Sequence, residues 1–159
     1  MMNQITDNLY LGNLHSSKID NLKENGITKV LSVIDKFVKV EYKESDNIKH
    51  KVIRIGDSES NNIIQYFGEC LNFINGDEKV LVHCSGGISR SATVVIAYIM
   101  LKKKMKYLEA FNFVLERRPV GPNWGFKSQL EMFEKELIKN EYDIDKIKFG
   151  EIKWYLSNI

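Results

Sequence analysis

The sequence predicts an α/β protein, with a central, largely parallel sheet flanked by helices and a helical final third. Three observations carry that expectation. Short apolar runs bounded by turn residues alternate with segments of helical periodicity over residues 5–101, the pattern of strands joined by crossover helices. Residues 80–91 read in succession as an apolar strand, a tight polar loop and a helix start. Beyond residue 106, apolar positions recur at helical spacing only, which places no strand there.

Taken in order, residues 5–12 hold a short strand at Leu9, Tyr10 and Leu11 that ends on Gly12. Residues 15–25 read as a short helix capped by Ser16 or Ser17, with Ile19 and Leu22 on one face and Gly26 as its stop. A β-branched strand over 27–34 leads into an irregular connection over 35–47. A third core strand over 51–55 runs into the polar loop 56–62, and Ile63, Phe67, Cys70, Leu71 and Ile74 then repeat at helical spacing. The strand 79–83 feeds the loop and an apolar helix running to Leu101. A helix over 107–117 places Leu108, Phe111, Val114 and Leu115 on one stripe, with Arg117 and Arg118 suited to its carboxyl end. Pro119 and Pro122 force a loop over 120–125, and residues 126–139 form a further amphipathic helix. Residues 140–159 carry Ile144, Ile147, Phe149, Ile152, Trp154, Tyr155 and Leu156, too apolar for a disordered tail. The expected organisation is a domain over 1–140 with an extension over 141–159 packed on it.

Composition removes several classes. A chain of 159 residues suffices for one core, and 43% hydrophobic with 28% charged residues is ordinary for a globular domain. Twenty-three basic against twenty-one acidic residues leave a formal charge of +2, so no field favours a nucleic-acid partner. Lys102, Lys103 and Lys104 cut off the longest apolar run, and no membrane span is expected. The opening Met1-Met2-Asn3-Gln4 has neither the pattern of a secretory signal nor a glycine for myristoylation. Two cysteines give no disulfide framework, which fits a reducing setting, cytoplasmic or nuclear. No metal cluster and no cofactor are expected. Oligomeric state stays open.

The chemistry concentrates in the loop. Cys70, on an apolar helix face, reads as a core thiol. Cys84 stands at a strand end, in a loop containing Gly86 and Gly87 that opens a helix. Unpaired N–H groups and the positive end of the helix dipole stabilise a thiolate there and bind anions. Six residues on, Arg90 offers a planar guanidinium that can hold two phosphoryl oxygens in a fork. A nucleophile facing a tetrahedral oxyanion is a phosphoryl-transfer arrangement. The Gly-Lys-Ser/Thr ending of a Walker loop is missing, which argues against ATP.

His83-Cys84-Ser85-Gly86-Gly87-Ile88-Ser89-Arg90-Ser91 resembles the His-Cys-x-x-Gly-x-x-Arg-Ser/Thr signature of the cysteine-dependent protein tyrosine phosphatases, and Ser89 to Thr93 resembles their dual-specificity branch. Residues 8–12, Tyr66-Phe67, residues 97–100, Pro122-Asn123, Gly125-Phe126 and Gln129-Leu130 extend the likeness over about residues 5–138. The resemblance implies a protein tyrosine phosphatase-like fold of the small single-domain type and assigns roles. Cys84 attacks phosphorus to give a phosphocysteine, and Arg90 binds the phosphoryl oxygens with the loop His83 to Ser89. Asp57 is the general acid and then the base; its bland alternative is an Asx-turn or capping aspartate, and Glu59 is a second candidate acid. Ser91 donates to the departing thiolate or, more simply, to helix backbone. Asn123 braces the loop or is merely a turn asparagine, and Arg118 binds a second phosphate or caps the preceding helix. His83 orders the loop.

What the resemblance implies for substrate is a shallow pocket admitting phosphoserine and phosphothreonine along with phosphotyrosine in a phosphorylated protein. Uncharged Ser85, Gly86, Ile88 and Ser89 disfavour a phosphoinositide. The same chemistry on RNA 5′-triphosphate or a phosphorylated glucan, and a phosphate-binding adaptor without turnover, remain as alternatives.

Overall fold

The apolar runs assemble, in a computed structural model describing residues 1–155, into one five-stranded sheet of order β1-β2-β5-β3-β4. The strands are β1 Met2–Thr6, β2 Leu9–Gly12, β3 Lys29–Ile34, β4 Lys49–Arg54 and β5 Val80–His83. β2, β5, β3 and β4 run parallel, and β1 pairs antiparallel with β2. The helices are α1 Ile19–Glu24, α2 Phe67–Ile74, α3 Arg90–Lys103, α4 Tyr107–Leu115 and α5 Trp124–Lys139. In a parallel sheet the carboxyl ends share one edge, and ligands bind in the crevice outside it. Residues following β2, β3, β4 and β5 therefore meet around the end of the central strand β5, whose four residues are all buried.

α3 is buried from Arg90 to Met100, as expected of a helix apolar on every side. It packs among α2, α4, α5 and the sheet in the larger core, while Tyr10, Leu22, Ile27, Val30 and Leu81 form a smaller one beneath α1. Past α5, Ile147 and Trp154 are buried, and the Phe149 ring lies 5.9 Å from that of Phe133. Leu156 lies outside the described residues.

Four local expectations are corrected. β1 is an additional edge strand; Ile5 is its one buried residue, so it carries almost no apolar period. β4 is an edge strand with Ile53 alone buried, not a core strand. Neither Ser16 nor Ser17 caps α1: they sit in a 3₁₀ turn, His15–Ser17, donating to Asn13 Oδ1 at 2.9 Å and to the Leu14 carbonyl at 2.6 Å, and Lys18 is the N-cap. α4 ends at Leu115 and buries Tyr107, Ala110 and Val114, leaving Leu108 and Leu115 exposed. Its contact face toward α3 takes a ring and small side chains, so the leucines turn outward.

Candidate active site

Residues 84–90 curl into a bowl whose walls are backbone. Every carbonyl from Cys84 to Ser89 is held from outside. Cys84 O accepts from His83 Nδ1 at 3.1 Å, Ser85 O from Leu14 N at 3.0 Å, and Gly86 O and Gly87 O from Arg118 at 3.3 and 3.0 Å. Ile88 O accepts from Gly121 N at 2.9 Å, and Ser89 O from Thr93 N and Oγ1 at 2.9 and 2.7 Å. In a trans peptide the next N–H points opposite the carbonyl, so fixing six carbonyls outward turns the amides of residues 85–90 inward. Successive inward amides make an anion-binding nest. Gly87 has φ +71°, and a Cβ there would stand 2.5 Å from the Gly12 carbonyl oxygen; only glycine lets the loop lie against β2.

Cys84 Sγ lies inside this bowl, accepting from Gly87 N at 3.1 Å and standing 3.0 Å from Ser91 Oγ. Ser91 is fully buried on the first turn of α3. Ser89, the N-cap of α3, makes no side-chain cap bond; its hydroxyl instead donates to Asp57 Oδ1 at 2.8 Å. The N-terminal amides of α3 thus keep their capacity for an anion. Cys70, by contrast, has its thiol pushed up to about 12 by burial and stays a core group.

Arg90 presents one edge to the protein and the other to the bowl. Nη1 donates to Asp35 Oδ1 at 2.9 Å and to the Ile55 carbonyl at 3.0 Å, and Nη2 reaches Ser85 Oγ at 3.5 Å. Nε is the one fully buried side-chain polar atom with no partner among the described residues. Such an orphan costs about 1–3 kcal/mol or more in a folded protein, which an anion in the bowl would recover. The cation is therefore pre-aimed by Asp35, a residue in the connection after β3 that the sequence did not single out.

Asp57 sits in the exposed loop after β4, where Oδ1 accepts from Ser89 Oγ and from Asn123 Nδ2 at 2.9 Å. Both bonds use one oxygen, leaving Oδ2 as the atom able to carry a transferable proton. Asn123 has three tasks: its N–H donates to Ser89 Oγ at 3.1 Å, its amide holds Asp57, and its Oδ1 caps α5 by accepting from Phe126 N at 2.9 Å. A Cβ on Gly125 would overlap the Glu59 carbonyl, so the start of α5 lies flat on the loop bearing Asp57. Glu59 meets the site through that backbone contact.

Arg118 stands behind the loop. Its guanidinium is buried and committed to the Gly86 and Gly87 carbonyls, to Met1 O at 3.0 Å and to Asn3 Oδ1 at 2.9 Å. It supports the bowl from behind, with four of its five N–H donors spent there and none of those bonds reaching a carbonyl of α4. The carboxyl end of α4 is met by Arg117, donating to Phe113 O at 2.7 Å.

Behind the nucleophile runs a proton chain that sequence reading missed. A carbonyl only accepts, so His83 Nδ1 carries the proton toward Cys84 O. The neutral ring's Nε2 then accepts from Ser32 Oγ at 2.6 Å, and that hydroxyl accepts from His50 Nε2 at 2.8 Å. Burial pushes His83 down to about 4, with a smaller downward push from His50. His50 is also lowered, by burial and by Arg54. The chain crosses β5, β3 and β4, with Ser32 opposite His83 and His50 two residues out of register with Ser32, a relation invisible in one dimension.

A parallel sheet bearing a Cys-to-Arg loop on its central strand defines the class of protein tyrosine phosphatase-like domains. Residues 9–136 match the family model described as the dual specificity phosphatase catalytic domain. The chain is 44% identical over 140 residues to MAP kinase phosphatase with leucine-rich repeats protein 1 of Dictyostelium discoideum, covering 85% of this chain and 16% of that protein. It is 39% identical over 148 residues to dual specificity protein phosphatase 22-A of Danio rerio, covering 89% and 68%. Among solved structures, the human tyrosine phosphatase-like serine/threonine/tyrosine-interacting protein superposes with a TM-score of 0.80 at 37% identity, covering 86% and 97%. The chain spans only 16% and 20% of the two Dictyostelium relatives it matches. It belongs to the dual specificity phosphatase catalytic-domain family.

Proposed function

We propose that this chain hydrolyses phosphate monoesters on tyrosine and on serine or threonine of a phosphorylated protein through a phosphocysteine. The observation carrying the proposal is the pairing, in one bowl of inward amides, of Cys84 Sγ with the unpartnered Nε of Arg90. The Cys84 thiolate attacks phosphorus in line, the ester P–O bond breaks, and Asp57 Oδ2 gives its proton to the departing oxygen. Amides and Arg90 hold the three equatorial oxygens as charge shifts onto them. In the second step Asp57 takes a proton from water, the water oxygen bonds to phosphorus, and the S–P bond breaks. Ser91 Oγ, 3.0 Å from Sγ, donates to the thiolate that returns. A reducing compartment suits a mechanism that needs a free thiol, and we place the protein in cytoplasm or nucleus on that ground.

The test is hydrolysis of a small aryl phosphate and of phosphotyrosine, phosphoserine and phosphothreonine peptides. Vanadate should inhibit, a chelator should not, and Cys84→Ser should abolish turnover; normal turnover by that variant would sink the proposal. A phosphate-binding role without turnover is the second reading, suggested by likeness to the human phosphatase-like interacting protein. It predicts peptide binding with no hydrolysis by the wild type. The presence of Cys84, Arg90 and Asp57 together favours the enzyme.

A further inference from the structure

A second concavity, of about 530 Å³, adjoins the phosphate bowl. That size lies within the range of small-ligand sites. Two of its lining residues are the two that hold Arg90: Asp35 by its carboxylate and Ile55 by its carbonyl. The cavity thus shares with the bowl the two residues that anchor its arginine. Phe37 and Val38 wall it from the connection after β3, and Tyr66 from the segment leading into α2.

The wall is built, not loose. Arg54 donates through Nη1 to the carbonyls of both Asp35 and Val38, and Val38 N–H donates to Asp35 O at 3.3 Å. That pins the connection while leaving Phe37 83% exposed. Phe37 is one of several large exposed apolar side chains carried by segments that bond in the site. Leu14, Phe37, Ile88 and Trp124 are four of the nine among the described residues, and each lies within two residues of a group bonded in the site. Such a concentration marks an interaction surface. The charges in the cavity wall are engaged elsewhere: Asp35 with Arg90, Arg54 with the two carbonyls, and the Lys36 ammonium over the Phe37 ring at 5.0 Å. The apolar surface left for a ligand is that of Phe37, Val38, Ile55 and Tyr66, facing a polar rim of Asn61, Asn62 and Gln65 whose side chains bond within their own loop.

We propose that this cavity is a specificity subsite for a large aliphatic or aromatic side chain lying within two residues of the phosphorylated residue of a peptide substrate. The inference rests on the phosphatase reading and adds the sequence context that reading lacks. A peptide that seats its phosphate on Arg90 brings its neighbouring residues close to a wall that shares Asp35 and Ile55 with that arginine. Burying one large apolar side chain in such a pocket discriminates by roughly 10- to 150-fold.

The experiment compares phosphotyrosine peptides carrying alanine or phenylalanine on either side of the phosphorylated residue, with a small aryl phosphate as reference, in wild type and Phe37→Ala. The wild type should favour a phenylalanine-flanked peptide by at least about 10-fold in kcat/KM. Phe37→Ala should reduce that ratio toward one, losing far more on the flanked peptide than on the aryl phosphate. Equal rates for both peptides, an unchanged ratio in Phe37→Ala, or an equal loss on peptide and aryl phosphate would each overturn the subsite. So would a Phe37 effect confined to phosphoinositide in lipid vesicles. If wild type fails to hydrolyse the aryl phosphate, the phosphatase reading itself has failed. The same peptide ratio is then read as Kd on Cys84→Ser by calorimetry, with the same outcomes deciding the subsite.

Discussion

His83 gives a prediction that can be worked through from geometry to number. Its ring is fully buried and bonded on both nitrogens, with Nδ1 to the Cys84 carbonyl and Nε2 to Ser32. Burial lowers its pKa from 6.5 to about 4. Below pH 6.5 the unfolded chain binds a proton at this histidine that the folded chain refuses, so stability rises with pH in that window. The contribution is complete above 6.5 and is lost as pH falls through about 4. Each pH unit of separation is worth about 1.4 kcal/mol, so up to roughly 3 kcal/mol is at stake. The assay is urea unfolding at intervals from pH 4 to pH 8, comparing wild type with His83→Gln and His50→Gln. His83→Gln should be less stable at neutral pH and should lose most of the slope between 4 and 6.5. His50→Gln, removing the smaller contribution of a half-exposed ring, should lose less. An unchanged slope in His83→Gln would refute the neutral, buried His83 behind the nucleophile.

Two further predictions concern the acid and the bowl. Asp57→Asn keeps the acceptor that Ser89 and Asn123 address but cannot give up a proton, so kcat should fall by roughly 10²- to 10⁴-fold on a phosphoserine peptide. The loss should shrink sharply on an aryl ester whose phenol leaves without help; an equal loss on both moves the acid role to Glu59. Arg118→Met strips two loop carbonyls of their donor and should cost about 3 kcal/mol in denaturant unfolding, with a fall in kcat on the small aryl ester. The preference between singly and doubly phosphorylated peptides should not change, and a selective loss on the doubly phosphorylated one would restore Arg118 to phosphate binding.

The strand, loop and helix over residues 80–101 were legible because their signal is contiguous: three apolar residues, a glycine pair, then an apolar helix. Cys84, Arg90 and Ser91 lie within that stretch, so one reading reached all three. Asp35, Ser32 and His50 are a different case. Each is a single polar residue in or after a strand, and its closeness to Arg90 or His83 follows from the order β5-β3-β4, which places β3 beside β5. Nothing in the residues near position 32 signals that neighbour. β1 escaped because an edge strand burying one residue needs no apolar alternation. The α4 stripe failed because periodicity gives the spacing of a buried face but not which face the packing chooses; Ala110 satisfies α3 better than Leu108. Arg118 was visible as a cation near the loop, and only the outward carbonyls of Gly86 and Gly87 say what it holds.

The central claim is covalent: phosphate passes through Cys84. Ser91→Ala removes the hydroxyl 3.0 Å from Sγ and should slow breakdown of the intermediate more than its formation. Acid quenching of that variant during turnover of an aryl phosphate, followed by mass analysis of its peptides, should find one phosphoryl group on the peptide containing Cys84 and none in Cys84→Ser. Full turnover with no phosphoryl group on that peptide at any quench time would contradict the account.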